Sequence, residues 1–244
     1  MSPGAVVDTD SAREFHREIL ALLGPEDLES IAADLGRKSQ ALRGLLGGDG
    51  RPPGRAALRE ALRWVFATRR RADQVIDSVG PRRAATAVTR LLRAREPVAA
   101  RFDAFDEAFA PAGDLAFDLP GELLHFTDPD RYWLWTRWLW DPRTRTGALR
   151  LVTADDAGLA DGASRGEAYL AVGRATAFVD ETGKAAGFTA AGPGLLGTDV
   201  FLAAVYGIYM YTVLRMRLTQ EFNRVVPVLP DLIRRLLGVY HLEG

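Results

Sequence analysis

Between Leu124 and Pro142 the chain reads LHFTDPDRYWLWTRWLWDP, and four of its five tryptophans fall there, at Trp133, Trp135, Trp138 and Trp140. So much indole area in so short a stretch has to be covered, and the rest of the chain has to be arranged around it. Asp128 is a good N-cap, Pro129 suits the first helical position, and Asp130 adds negative charge to the first turn. The pattern therefore predicts a helix from Pro129 to about Trp140, closed by Asp141-Pro142. At about 100° per residue, Tyr132, Trp135 and Leu139 lie on one side and Trp133 and Trp140 on another, while Leu134 and Trp138 point elsewhere again. A helix that is apolar nearly all round is buried on most sides, so this one is expected at the centre of the core. The functional alternative is an aromatic pocket or partner surface formed by His125, Tyr132, Trp133, Trp135, Arg137, Trp138 and Trp140.

A second stretch, Val200–Leu214 (VFLAAVYGIYMYTVL), carries no charge over fifteen residues. As a helix it is roughly 22 Å long, short of the roughly 30 Å hydrocarbon core of a bilayer. It is expected to be a buried core helix and not a membrane span. Ala203 and Gly207 would admit a close neighbour, and Tyr206, Tyr209 and Tyr211 need hydroxyl partners.

Around these two segments the chain reads as helix after helix. Asp10 or Ser11 can cap a helix to about Leu23, and Gly24-Pro25 closes it and opens the next, with Glu26, Asp27 and Glu29 at its positive end. The loop Gly47–Gly54 (GGDGRPPG) is the clearest breaker. One helix is expected from Arg55 to Asp77, with Leu58, Leu62, Val65 and Phe66 as its apolar stripe. Others are expected near 82–95 and 97–109, the last with Phe102, Phe105 and Phe109 on one face, then at Pro120, near 165–180, 199–223 and 229–238. Asp141–Gly147 is turn-like, and Ala148–Thr153 (ALRLVT) is the best strand candidate. Acidic Asp155–Ser164 and Gly/Pro-rich Gly183–Gly197 read as loops. The expected fold is a mainly α, multi-helix, bundle-like domain with at most a short hairpin or strand near 148–153. It divides into an N-terminal helical part, 1–110, and a C-terminal part, 111–244, or forms one continuous domain.

Composition is ordinary for a globular chain: 48% apolar, 26% charged, net charge −1. There is no cysteine, which removes disulfides, thiolate nucleophiles and Cys-type zinc sites. The first residues lack a basic and an apolar region of the secretory kind, so a cytoplasmic location is expected. No P-loop, Gly-x-Gly-x-x-Gly after a strand, Gly-x-Ser-x-Gly or His-Glu-x-x-His occurs, and no cofactor is expected.

Charge is unevenly placed. From Arg51 to Arg95 there are twelve arginines against Glu60, Asp73 and Asp77. Arg55, Arg59 and Arg63 share a helical face, Arg69-Arg70-Arg71 extends it, and Arg82 and Arg83 follow; such a stripe can track phosphates. The structural alternative is a solvated face pairing with Glu26, Asp27, Glu29 and Asp34. Within the block, Val79–Ala85 (VGPRRAA) resembles part of the turn of helix-hairpin-helix DNA-binding proteins. The resemblance covers about ten residues and lacks the first glycine of the usual pattern. It implies a turn whose backbone N–H groups hold a phosphate.

Glu122 and His125 form a Glu-x-x-His pair that puts two metal-ligand types on one helical face. A site of that kind needs a second copy and further carboxylates, and the other histidines, His16 and His241, lie outside the motif. No metal site is expected, with Glu122 and His125 as the weak candidates. Three functions follow. The first is a non-catalytic binding or assembly protein that holds a protein partner, a second copy or a small apolar ligand on aromatic surface. The second is a nucleic-acid-binding protein using Arg55, Arg59, Arg63, Arg70, Arg82 and Arg83. The third is a metal-dependent enzyme centred on Glu122 and His125.

Overall fold

The computed structural model describes residues 7–48, 50–154, 158–159, 164–187, 195–217 and 227–240. The mainly helical architecture is as expected: eleven α-helices and no strand occur among the described residues. They are α1 (Thr9–Leu22), α2 (Pro25–Leu46), α3 (Arg55–Arg63), α4 (Ala72–Val79), α5 (Pro81–Arg93), α6 (Val98–Phe109), α7 (Leu119–Thr127), α8 (Ala148–Val152), α9 (Arg165–Ala186), α10 (Leu195–Arg217) and α11 (Leu229–Leu236), with a 3-10 segment at Ala110–Ala116 between α6 and α7. His241, residues 155–157 and 160–163 of the acidic loop, 188–194 of the Gly/Pro-rich stretch and 218–223 of the helix expected over 199–223 lie outside the described residues, whereas Gly183–Ala186 belongs to α9 and Leu195–Gly197 to α10.

The chain divides into two compact units, neither continuous in sequence. The first comprises Met1–Leu35, Trp138–Ala157 and Ala175–Gly244. In it Asp8 caps α1, accepting from the Ser11 N–H at 3.1 Å; this aspartate, rather than Asp10 or Ser11, satisfies the free donors of the first turn. The Asp8 N–H donates to the Val152 carbonyl at 2.9 Å, stitching the start of α1 to the end of α8. α10 supplies the core, with Val200, Leu202, Ala203, Ala204 and Val205 fully buried. Gly207 gives α11 room: a Cβ there would sit 3.1 Å from Leu229 and 3.5 Å from Ile233. Arg234 of α11 bonds Asp34 at 3.0 Å and Ser30 at 3.0 Å.

At 23 residues α10 exceeds the fifteen-residue apolar run and reaches roughly 35 Å. Its window Leu196–Val213, mean hydropathy 1.3, is long and apolar enough to cross a membrane, and 61% of it is buried within the protein. A core helix and a span share this length and composition.

The second unit comprises Gly36–Arg137 and Gly158–Arg174. Phe102, Phe105 and Phe109 form the buried face of α6, as their spacing predicts, and Phe105 and Phe109 stack at 4.2 Å. Arg101 is buried with them, donating to the Leu91 carbonyl and to the Tyr132 hydroxyl.

Besides the cap of α1, three expectations are overturned. The tryptophan-rich segment is not a helix: Tyr132–Thr136 has no regular secondary structure and Arg137–Leu139 forms a turn. Asp128 ends α7 instead of starting a helix, its N–H donating to the Leu124 and His125 carbonyls. Asp-Pro serves as readily after a helix as before one. The buried backbone finds its partners elsewhere. The Tyr132 carbonyl accepts from His125 Nδ1 at 2.7 Å, Trp133 from the Tyr169 hydroxyl at 3.2 Å, and Trp138 and Leu139 from the Ala148 and Leu149 N–H groups at 2.9 and 3.1 Å. Ala148–Val152 is a helix and not a strand, because its first N–H groups are taken by those two carbonyls; only Thr153 makes an isolated bridge, to Val7. The helix expected over 55–77 breaks after Arg63 into a string of turns, Trp64–Arg71. Phe66, placed by periodicity on the apolar stripe, is 59% exposed as a result.

Candidate functional site

α3 buries Leu58, Ala61 and Leu62, which turns Arg55, Arg59 and Arg63 to solvent one above the other. After Arg63 the chain advances by i→i+3 backbone bonds: Trp64 to Ala61, Val65 to Leu62, Thr68 to Val65 and Arg71 to Thr68, at 2.8–3.3 Å. Fully buried Val65 and Thr68 anchor this linker, and the Thr68 hydroxyl donates to the Leu62 carbonyl at 2.6 Å. The turns bring Arg69, Arg70 and Arg71 round to face Arg59 and Arg63. With Ala72, Asp73 and Gln74, the first turn of α4, these five arginines line an open concavity of about 510 Å³.

Five arginines and one carboxylate meet in its lining. Asp73 is the single acidic lining residue, and it is shared: Arg55 bonds it at 3.1 Å and Arg59 approaches at 4.0 Å. Arg63 reaches Glu60 at 3.6 Å. Arg70 and Arg71 have no side-chain partner among the described residues. Arg55 lies just outside and is forked onto Asp77. That hydrogen bonding holds the Asp77 carboxyl below its usual range and raises the guanidinium. Both side chains are about half exposed, so the pair adds little stability. Clustered like charges around a concave surface raise the local potential and draw in anions, and the N-terminal turn of α4 adds its backbone donors.

Arg82 and Arg83 sit at the other end of α4. Gly80, with φ 88°, joins α4 to α5, and Pro81 starts α5. A left-handed backbone there requires glycine. Both arginines are exposed in the first turn of α5, and Arg83 donates to the Glu107 carbonyl at 3.2 Å. Eight helical residues put this turn roughly 12 Å along α4 from the concavity. The structure thus brings Arg59, Arg63 and Arg70 into one concavity, with Arg55 at its margin and Arg82 and Arg83 a helix length away. Sequence reasoning weighted Arg69 and Arg71 only as an extension of charge and assigned Phe66 to the core. The break at Trp64, which decides all three, carries no glycine or proline to announce it.

The aromatic candidates are placed differently. In the second unit Tyr132 and Trp135 are buried and Trp133 is half-buried. Trp135 stacks on Phe102 at 5.6 Å, meets Phe117 edge-on at 5.4 Å, and lies 4.9 Å from the Arg165 guanidinium. Arg165 also covers Phe117 at 3.8 Å and reaches Asp106 at 3.4 Å; burial lowers its pKa. The half-buried Arg137 side chain lies 5.3 Å over Phe117 and 3.8 Å from Asp118. In the first unit Trp140 is buried, while half-buried Trp138 sits 6.4 Å from Tyr206, itself 6.1 Å from the exposed Tyr209.

Glu122 and His125 are both buried in α7. The cation facing Glu122 is the ammonium of Lys38, from α2, which also lies 4.1 Å over the Phe126 ring. Burial pushes the Glu122 carboxyl up, with Lys38 opposing. His125 Nδ1 faces the Tyr132 carbonyl and must carry its proton there. No cluster of three or more His, Asp or Glu side chains fit to hold a metal occurs among the described residues. No protein-family model, curated protein or solved structure matches this chain.

Proposed function

We propose that this chain is a non-catalytic binding protein whose ligand is nucleic acid, gripped by its phosphates. The observation that carries this reading is the concavity of about 510 Å³ lined by Arg59, Arg63, Arg69, Arg70 and Arg71 with one aspartate. Phosphate contacts from arginine dominate nucleic-acid affinity and need no particular sequence. The exposed Arg82 and Arg83 beyond Gly80 support it, in the turn that resembles part of the helix-hairpin-helix phosphate-binding turn. This reading leaves the aromatic set of Tyr132–Trp140 mainly to the interior.

The test is binding of a labelled oligonucleotide to the full chain at low salt, followed by fluorescence anisotropy. Arg70→Glu with Arg71→Glu breaks no ion pair among the described residues, so the fold is kept. Affinity is expected to fall at least about ten-fold. Undiminished binding by that variant overturns the proposal.

A further inference from the structure

The most exposed aromatic side chain in the α3–α4 region is Phe66, with 59% of its surface open to solvent. It is not a frayed residue. It stands between the fully buried Val65 and Thr68, in a linker closed by consecutive turn bonds, so its backbone is fixed and its ring faces outward. It lies three positions from Arg63 on one side and from Arg69 on the other. Chain geometry alone keeps its Cα within about 11 Å of each. Phe66 is not among the residues that line the concavity, but it stands on the short linker between two that are, and an apolar ring left in water gains nothing from the fold.

We infer that the ligand is a single strand: the arginine concavity holds its phosphates and Phe66 stacks on one of its bases. The inference rests on the nucleic-acid reading above and narrows it. A duplex offers phosphates to the arginines but no open base face to the phenyl ring, because its bases are paired and stacked. An unpaired strand offers both at once, and stacking tolerates any base since every base has a π-face. The arginines reinforce this, because a guanidinium pairs with phosphate and also stacks on a base.

The experiment uses the full chain and three labelled probes: an oligo(dT) of about 16 nucleotides, a duplex of the same length, and a strand of the same length that is abasic and keeps only the sugar-phosphate backbone. The wild type is expected to bind oligo(dT) roughly ten-fold more tightly than the duplex. Phe66→Ala should weaken oligo(dT) binding roughly ten-fold and leave the abasic strand unchanged, and Phe66→Trp should restore it. Equal affinity for single strand and duplex, with Phe66→Ala changing neither, overturns the inference and leaves the nucleic-acid reading standing. An equal loss on the abasic strand also overturns it, since the ring would then be shaping the arginines and not meeting a base. Failure to bind any of the three probes overturns both.

Discussion

Lys38 and Glu122 face each other inside the second unit, with side chains 0% and 3% exposed. For two charges out of water the desolvation cost rivals the attraction. Burial raises the Glu122 carboxyl despite the ammonium beside it. A group raised in the folded state contributes stability that is complete below its unfolded pKa and lost as pH rises through its folded value. Stability measured by urea unfolding should therefore decline as pH rises above the ordinary glutamate range. Glu122→Gln or Lys38→Met alone strands one buried charge and should cost about 3–5 kcal/mol. Lys38→Met together with Glu122→Leu should bring stability to within about 1 kcal/mol of the wild type or above it, and flatten its pH dependence. Additive losses in the double variant would show that the two side chains act separately.

Where α7 meets the tryptophan-rich chain, Gly121 touches backbone: a Cβ there would fall 2.1 Å from the Trp135 carbonyl oxygen. Main chain cannot yield as a side-chain tip can, so Gly121→Ala should destabilise by about 1–3 kcal/mol or more. Gly36 and Gly44, exposed in α2 with open space around them, should behave oppositely, with alanine adding about 0.5–1 kcal/mol each. Equal effects at all three positions, read from thermal unfolding, would refute this packing. Elements of this kind mark the limit of what periodicity reveals. α5, α6, α7 and α11 announce themselves through Pro81, the Phe102–Phe105–Phe109 face, Pro120 and the 229–238 pattern. The chain from Pro129 to Trp140 does not, because Asp128-Pro129 is equally a stop and a start. A segment apolar on every side is satisfied by any conformation whose backbone is paired, and here the partners are His125, Tyr169 and the N-terminus of α8, all distant in sequence or hidden by local propensity. ALRLVT was similarly ambiguous: six apolar-rich residues suit a strand until two carbonyls from Trp138 and Leu139 claim its first N–H groups.

Across the whole chain a net charge of −1 conceals a segregation, with twelve arginines between Arg51 and Arg95. If five of them release counterions from a single strand, log affinity should fall against log salt with a slope of roughly 3–4. Arg70→Glu with Arg71→Glu should reduce that slope by at least about 1–2. A slope near zero, measured by anisotropy across a salt series, would contradict phosphate recognition. The charge run was legible in composition and helical spacing. The concavity was not, since it depends on a break at Trp64 that is enforced by the burial of Val65 and Thr68, a tertiary effect.

The Asp34–Arg234 pair joins residues 200 positions apart within one unit. During synthesis at about 5–20 residues per second, roughly 10–40 s pass between the two. Over that interval Leu28, Ile31 and Leu35, all buried in the folded chain, emerge long before α10 and α11 are made. The order of translation therefore leaves the apolar faces of α1 and α2 waiting for their late partners, while the second unit has all its residues once Arg174 is made.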